Sequence, residues 1–302
     1  MQPVGIGTRL FSILSTLSAV VVTASSVAAQ AQAVTVQGVG LQTPESVLYD
    51  AAEDVYLVSN INGSPTAADG NGFISRIGPE GQVLALKWID GTVSSVTLHA
   101  PKGMAIVGDT LYVADITAVR MFDRRTGQPK GSVAVPGATF LNDAAAGPDG
   151  SVYATDSGFT AAFSPSGSDA VYRIDRAGAL TTIARGTHLR NPNGITVLTD
   201  GTVLLVGGGN DGELFALGPG GQRVNVRRLP AGGLDGVEAL PGGVLLVSSW
   251  GASAVFRVAA DGRAEAVISN VRSPADIGYD GKRNRVLIPL FQDNRIVIQA
   301  LR

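Results

Sequence analysis

Residues 140–158, FLNDAAAGPDGSVYATDSG, read as a short apolar strand, a Pro-Asp-Gly turn and a second strand rich in β-formers. An Asn-Asp pair, Asn142 and Asp143, stands at the start of a segment otherwise bound for a core. The same pattern recurs along the chain. Its other copies are TPESVLYDAAEDVYLVSN from 43, APKGMAIVGDTLYVADI from 100, NPNGITVLTDGTVLLVGG from 191, LDGVEALPGGVLLVSSW from 234 and SPADIGYDGKRNRVLIPL from 273. Each copy has a short polar entry, a small or apolar strand, a turn at Gly or Asp and a strongly β-prone returning strand. Further strands follow, as in AVFRVAADG and RAEAVIS, which makes about four antiparallel strands per unit.

The aligned position at the entry of each copy falls at 45, 102, 142, 193, 235 and 275, with steps of 57, 40, 51, 42 and 40. Such steps are those of propeller blades, and six blades account for residues 34–302. The expected fold is all-β: one six-bladed β-propeller domain over 34–302, closed by AVTVQG or by NRIVIQAL. Helical periodicity is absent beyond the first residues.

Before that domain, Arg9 is followed by the apolar run FSILSTLSAVVVTA and the small-residue stretch SSVAAQAQA, with no acid before Glu45. This is the pattern of a secretory signal peptide over 1–33, cleaved near Ala31 or Ala33. The apolar run is too short to span a bilayer. The expected product is exported, periplasmic or secreted, and monomeric. Without Arg9 the chain carries 22 bases against 25 acids, a net charge of −3. It has no basic block for nucleic acid and no basic amphipathic segment for a membrane surface. There is no cysteine and there are two histidines, so a metal here would be bound by oxygen.

In a propeller the first strand of each blade lines the central channel, so the six opening positions form a ring at its mouth. Here the ring is Glu45, Lys102, Asn142, Asn193, Asp235 and Ala275. The polarity of Asn142 follows from its place in that ring. Two carboxylates and two amide carbonyls make four hard oxygen donors, which suit the flexible shell of Ca²⁺ and leave positions open for water or substrate. Mg²⁺, Mn²⁺ and Zn²⁺ suit the set less well. Glu45 and Asp235 balance Ca²⁺, and Lys102 then leaves the mouth at about +1 by formal count, which favours a small anionic substrate or a reaction developing an oxyanion.

The order Glu, Asn, Asn, Asp resembles the calcium site of the gluconolactonase and regucalcin family, with paraoxonase and diisopropyl fluorophosphatase as related propellers. LNDAAAGPDGSVYATDSG resembles the Asn-Asp, Pro-Asp-Gly and Tyr-x-Thr-Asp signature of these proteins and of strictosidine-synthase-like chains. The resemblance implies Ca²⁺ held by Glu45, Asn142, Asn193 and Asp235, hydrolysis of lactones or related esters, and Asp235 as the base. Lys102 is the other candidate catalytic group, as electrophile or, when neutral, as base. The chain departs from the paraoxonase pattern at Lys102, where a His is usual, and at Ser46, where an Asp holds a second metal. No second metal of that type is expected, and Asp143 is assigned to hydrogen bonds with turn amides.

Long loops at SNINGSPTAADGNG and SGFTAAFSPSGSD, with Phe159, Phe163 and Trp250, are expected to wall an apolar pocket above the ring. His99 and His188 read as loop residues. Two other readings remain: a non-catalytic NHL-type scaffold binding a protein or glycan, and a metal-independent lyase or strictosidine-synthase-like enzyme. The Glu/Asn/Asn/Asp arrangement is what a pure scaffold has no need of.

Overall fold

The computed structural model describes Met1, Gln2, Gly5 and residues 33–301. The signal-peptide expectation, with its Ala31 cleavage site, lies outside the described residues apart from Met1, Gln2, Gly5 and Ala33. Residues 33–301 form one compact unit. It holds six sheets of four antiparallel strands each, and the regular helices described are single 3₁₀ turns. This is a six-bladed β-propeller.

The innermost strands are Pro44–Asp50, Pro101–Val107, Leu141–Ala146, Pro192–Val197, Leu234–Leu240 and Gly278–Asp280. Five blades are built from consecutive strands. The sixth takes its outer strand, Val34–Val36, from the beginning of the domain and pairs it with Arg295–Ala300, Val34 opposite Ile298. Both sequence candidates for ring closure therefore lie in the same sheet, which ties the two ends of the ring together.

Six apolar clusters hold the ring, one between each pair of neighbouring blades. Val55, Leu57 and Ile74 face Met104, Leu111 and Phe122 of the second blade. From the opposite face of the same sheet, Tyr56, Val58 and Ile77 pack on Leu287 and Ile296 of the sixth. Val55–Asn60 is buried at every residue, because both faces of its sheet are covered. That explains why the second strands read as unbroken apolar runs rather than alternating ones. The outer strands, such as Arg223–Arg228, are largely exposed and carry the charge.

The inner strands converge so closely that some positions accept only glycine. A Cβ on Gly194 would collide with the main-chain oxygen of Asp235 in the next blade. Gly194→Ala is therefore expected to lower stability by about 1–3 kcal/mol through overpacking. A urea-denaturation midpoint equal to that of the wild type would refute this.

Candidate active site at the channel mouth

The inner strands of blades one to five each begin with a break in register. Breaks fall between Pro44 and Ser46, Pro101 and Met104, Leu141 and Ala144, Pro192 and Ile195, and Leu234 and Val237. Each break contains the ring residue. A bulge of this kind frees a residue from the ladder and re-aims its side chain. Glu45, Lys102, Asn142, Asn193 and Asp235 consequently line one cavity of about 270 Å³ at the channel mouth. Ala275, the sixth ring position, is buried and does not line it.

Hydroxyls in the second strands secure the bulges. Ser248 Oγ accepts from the Gly236 N–H at 2.8 Å and donates to the Ala275 carbonyl of the next blade at 2.8 Å. Thr155 Oγ1 accepts from the Asp143 N–H at 3.0 Å and donates to the Asn193 carbonyl at 2.7 Å. Sequence reasoning missed these residues. Their signal was a Ser or Thr near the end of a second strand, in YATDS and LLVSSW.

The ring side chains are held, and part of their oxygen is left without a partner. Asn142 donates through Nδ2 to Ser157 Oγ at 2.9 Å, and Asn193 through Nδ2 to the Leu234 carbonyl at 3.4 Å. Those bonds assign the amide orientations and leave each carbonyl oxygen as the acceptor end. Trp250 Nε1 donates to Asp235 Oδ2 at 2.7 Å. Asp235 Oδ1 and Glu45 Oε2 are buried with no hydrogen-bond partner. Buried unpartnered carboxylate oxygens are costly, and these two belong to residues that line one cavity. Among the described residues no three His, Cys, Asp or Glu side chains gather as a metal cluster. Here half of the donor set is amide oxygen. Hard, all-oxygen donors of this kind suit Ca²⁺.

Electrostatics point the same way. Desolvation, then Asp235 and Asp276, push Glu45 well above the usual carboxylate range. Asp235 is raised to about 8, first by desolvation and then by Asp276. Lys102, buried, donates to the Ala100 carbonyl at 3.1 Å and lies 4.5 Å from the centre of the Phe140 ring. Desolvation lowers it to about 8 against the opposing pull of Glu45 and Asp115.

Behind the ring, further along the same inner strands, a second cavity of about 280 Å³ is lined by Ser46, Asp143, Glu238 and Asp276 among others. Asp276 Oδ2 accepts from Ser46 Oγ at 2.5 Å. Asp143 accepts from the Ala144 N–H at 2.6 Å and the Ile195 N–H at 2.7 Å. These are strand amides, one of them in the neighbouring blade, and not the turn amides expected. Asp276 was also missed, because Ala275 fills the aligned slot and the carboxylate follows it. The formal +1 at the mouth left out this second tier of acids.

The walls above the ring are apolar. Phe140, Phe159 and Phe163 form one aromatic group, with centroid separations of 5.7, 6.0 and 6.4 Å. Trp250 and Phe291, 5.3 Å apart, form another. Both long loops reach the cavity, through Ile61 and Pro65 and through Phe159 and Phe163. The histidines do not line it. His99 Nδ1 accepts from the Gly70 N–H at 3.0 Å, and His188 Nε2 is 3.1 Å from the Gly221 carbonyl.

Fold and site together define a six-bladed propeller with an acid-and-amide ring at the mouth of its channel. The chain belongs to the SMP-30/gluconolactonase/LRE-like family, whose model matches residues 76–287. No curated protein matches it by sequence. Among solved structures it is similar to a gluconolactonase from Xanthomonas campestris, at 20% identity and a TM-score of 0.64, covering 85% of this chain and 86% of that one. A provisionally assigned gluconolactonase gives 17% identity, a TM-score of 0.66, and coverage of 87% and 91%. The virginiamycin B lyase of Staphylococcus aureus gives 14% identity, a TM-score of 0.63, and coverage of 90% and 99%. At these identities the structural likeness speaks for the fold.

Proposed function

We propose that the protein is an exported, Ca²⁺-dependent hydrolase of lactones or related esters. The observation that carries this reading is the set Glu45, Asn142, Asn193 and Asp235 lining one cavity, with Glu45 Oε2 and Asp235 Oδ1 buried and unpartnered. Membership of a gluconolactonase-like family supports a lactonase-type reaction. The leader pattern supports export.

Those four residues would hold the cation. Held there, Ca²⁺ would supply Lewis-acid polarisation of a substrate carbonyl. The chain supplies the remaining chemistry. The Trp250 indole orients the Asp235 carboxylate through Oδ2, and that carboxylate takes a proton from the attacking water. Water oxygen bonds to the carbonyl carbon, the ring C–O bond breaks, and the released alkoxide takes up a proton to give the hydroxy acid. Lys102 has N–H donors beyond the one given to Ala100, and these stabilise negative charge developing on the carbonyl oxygen.

A lyase reading is the less favoured one. A histidine-to-alanine variant of virginiamycin B lyase is described as catalytically inactive, and no histidine lines this cavity. Calorimetric titration of chelator-stripped protein with Ca²⁺ is expected to give one saturable site, absent from a Glu45→Gln/Asp235→Asn variant. A folded wild type that binds no Ca²⁺ would overturn the proposal.

A further inference from the structure

The cavity divides sharply between a polar floor and an apolar wall. Every charged or amide side chain lining it belongs to the ring: Glu45, Lys102, Asn142, Asn193 and Asp235. Above them the side chains are hydrocarbon or aromatic. The indole N–H of Trp250, the wall's own polar side-chain group, is already given to Asp235. Two glycines also border the cavity, and their N–H groups are occupied as well. Gly208 donates to the Asn191 carbonyl at 3.0 Å and Gly233 to the Gly209 carbonyl at 2.8 Å. A polyhydroxylated ring bound over the floor would place its outer hydroxyls against hydrocarbon, and each one left unpaired lowers affinity about tenfold.

The wall is also built in advance. Phe163 is half exposed, at 53%, and sits at φ 55°, a conformation that bulky side chains seldom adopt. A turn holds it there: its N–H donates to the Thr160 carbonyl at 2.9 Å, and the Ser164 N–H donates to Thr160 Oγ1 at 3.2 Å. Strain of this kind persists where the surroundings over-determine it, commonly at ligand clamps. The cavity volume of about 270 Å³ exceeds the roughly 150 Å³ that accommodates benzene. It has room for a five- or six-membered reacting ring bearing one ring-sized substituent.

We infer that the ligand of this cavity is a lactone or ester carrying an apolar, ring-sized substituent on the Phe140–Phe159–Phe163 wall, and not a polyhydroxylated sugar lactone. This rests on the hydrolase reading above for the reacting group, and on the wall alone for the substituent. The test separates the two by using lactams, which bind without being turned over. With Ca²⁺ in the buffer, a phenyl-substituted valerolactam and gluconolactam are titrated into the protein and into Phe163→Ala and Phe159→Ala, each first checked for a native melting transition. Turnover of the matching lactones is followed alongside.

The phenyl lactam is expected to bind at least tenfold more tightly than gluconolactam, and each Phe→Ala change is expected to remove most of that margin. Equal or tighter binding of gluconolactam overturns the inference, and if gluconolactone is then hydrolysed the hydrolase reading survives it. Wall-dependent binding of the phenyl lactam without hydrolysis of either lactone supports the apolar ligand and overturns the hydrolase reading. Binding of neither lactam overturns the inference.

Discussion

Stripped of divalent metal by a chelator, the protein is expected to melt roughly 5–15 °C lower at pH 8 than at pH 5, and millimolar Ca²⁺ is expected to close that gap at pH 8. The cause is the stack of acids at and behind the mouth. Burial pushes Asp276 to about 7, and burial with repulsion from neighbouring acids raises Glu45 and Asp143 and pushes Asp235 to about 8 and Glu238 to about 8. A carboxyl whose folded pKa exceeds its unfolded value binds more protons in the folded chain. Its contribution is complete below about pH 4 and is lost as pH rises through the folded value, here between about 4 and 8. Lys102, lowered to about 8, has the opposite sign and acts only above that window.

A cation replaces the protons, so its effect is largest where they are gone. Neutralising the ring separates repulsion from binding. Glu45→Gln/Asp235→Asn is expected to raise the melting temperature of the chelated protein at pH 8 while abolishing the response to Ca²⁺. A melting temperature flat from pH 5 to pH 8 and indifferent to Ca²⁺ would sink the cation site.

The second large effect is on turnover. Asp235→Asn keeps an oxygen for the cation and removes the base, so kcat on the best lactone found is expected to fall about 10²–10⁴-fold. Lys102→Met retains the shape of the side chain and removes its donors, with an expected loss of about 10²–10³-fold. The pH profile assigns the roles. With Asp235 as base, the rising limb survives in Lys102→Met. A rising limb near pH 8 in the wild type that vanishes in Lys102→Met would transfer the base role to the lysine.

The propeller was legible because a recurring strand–turn–strand pattern with a polar opening residue has a period that only a ring of like sheets satisfies. The ring residues were legible for the same reason: aligned repeats place aligned positions at one end of the channel. The aromatic walls were partly readable from loop length. Asp276 was not, since it lies one residue out of the alignment and counts only because a parallel bridge to the neighbouring blade sets it beside Ser46. Nor were the hydroxyl bridges of Thr155 and Ser248, whose partners are main-chain groups in the next blade.

The repeat, the number of blades and the residue types gathered at the mouth could be read along the chain, because they depend on periodicity and alignment. Tertiary structure alone decided which carboxylate oxygens are left unpartnered, how far burial and like charge shift them, and that the wall above offers hydrocarbon in place of donors. Those properties arise between blades from residues distant in sequence. Desolvation and Coulomb repulsion depend on distances through space, which no local pattern of residues encodes.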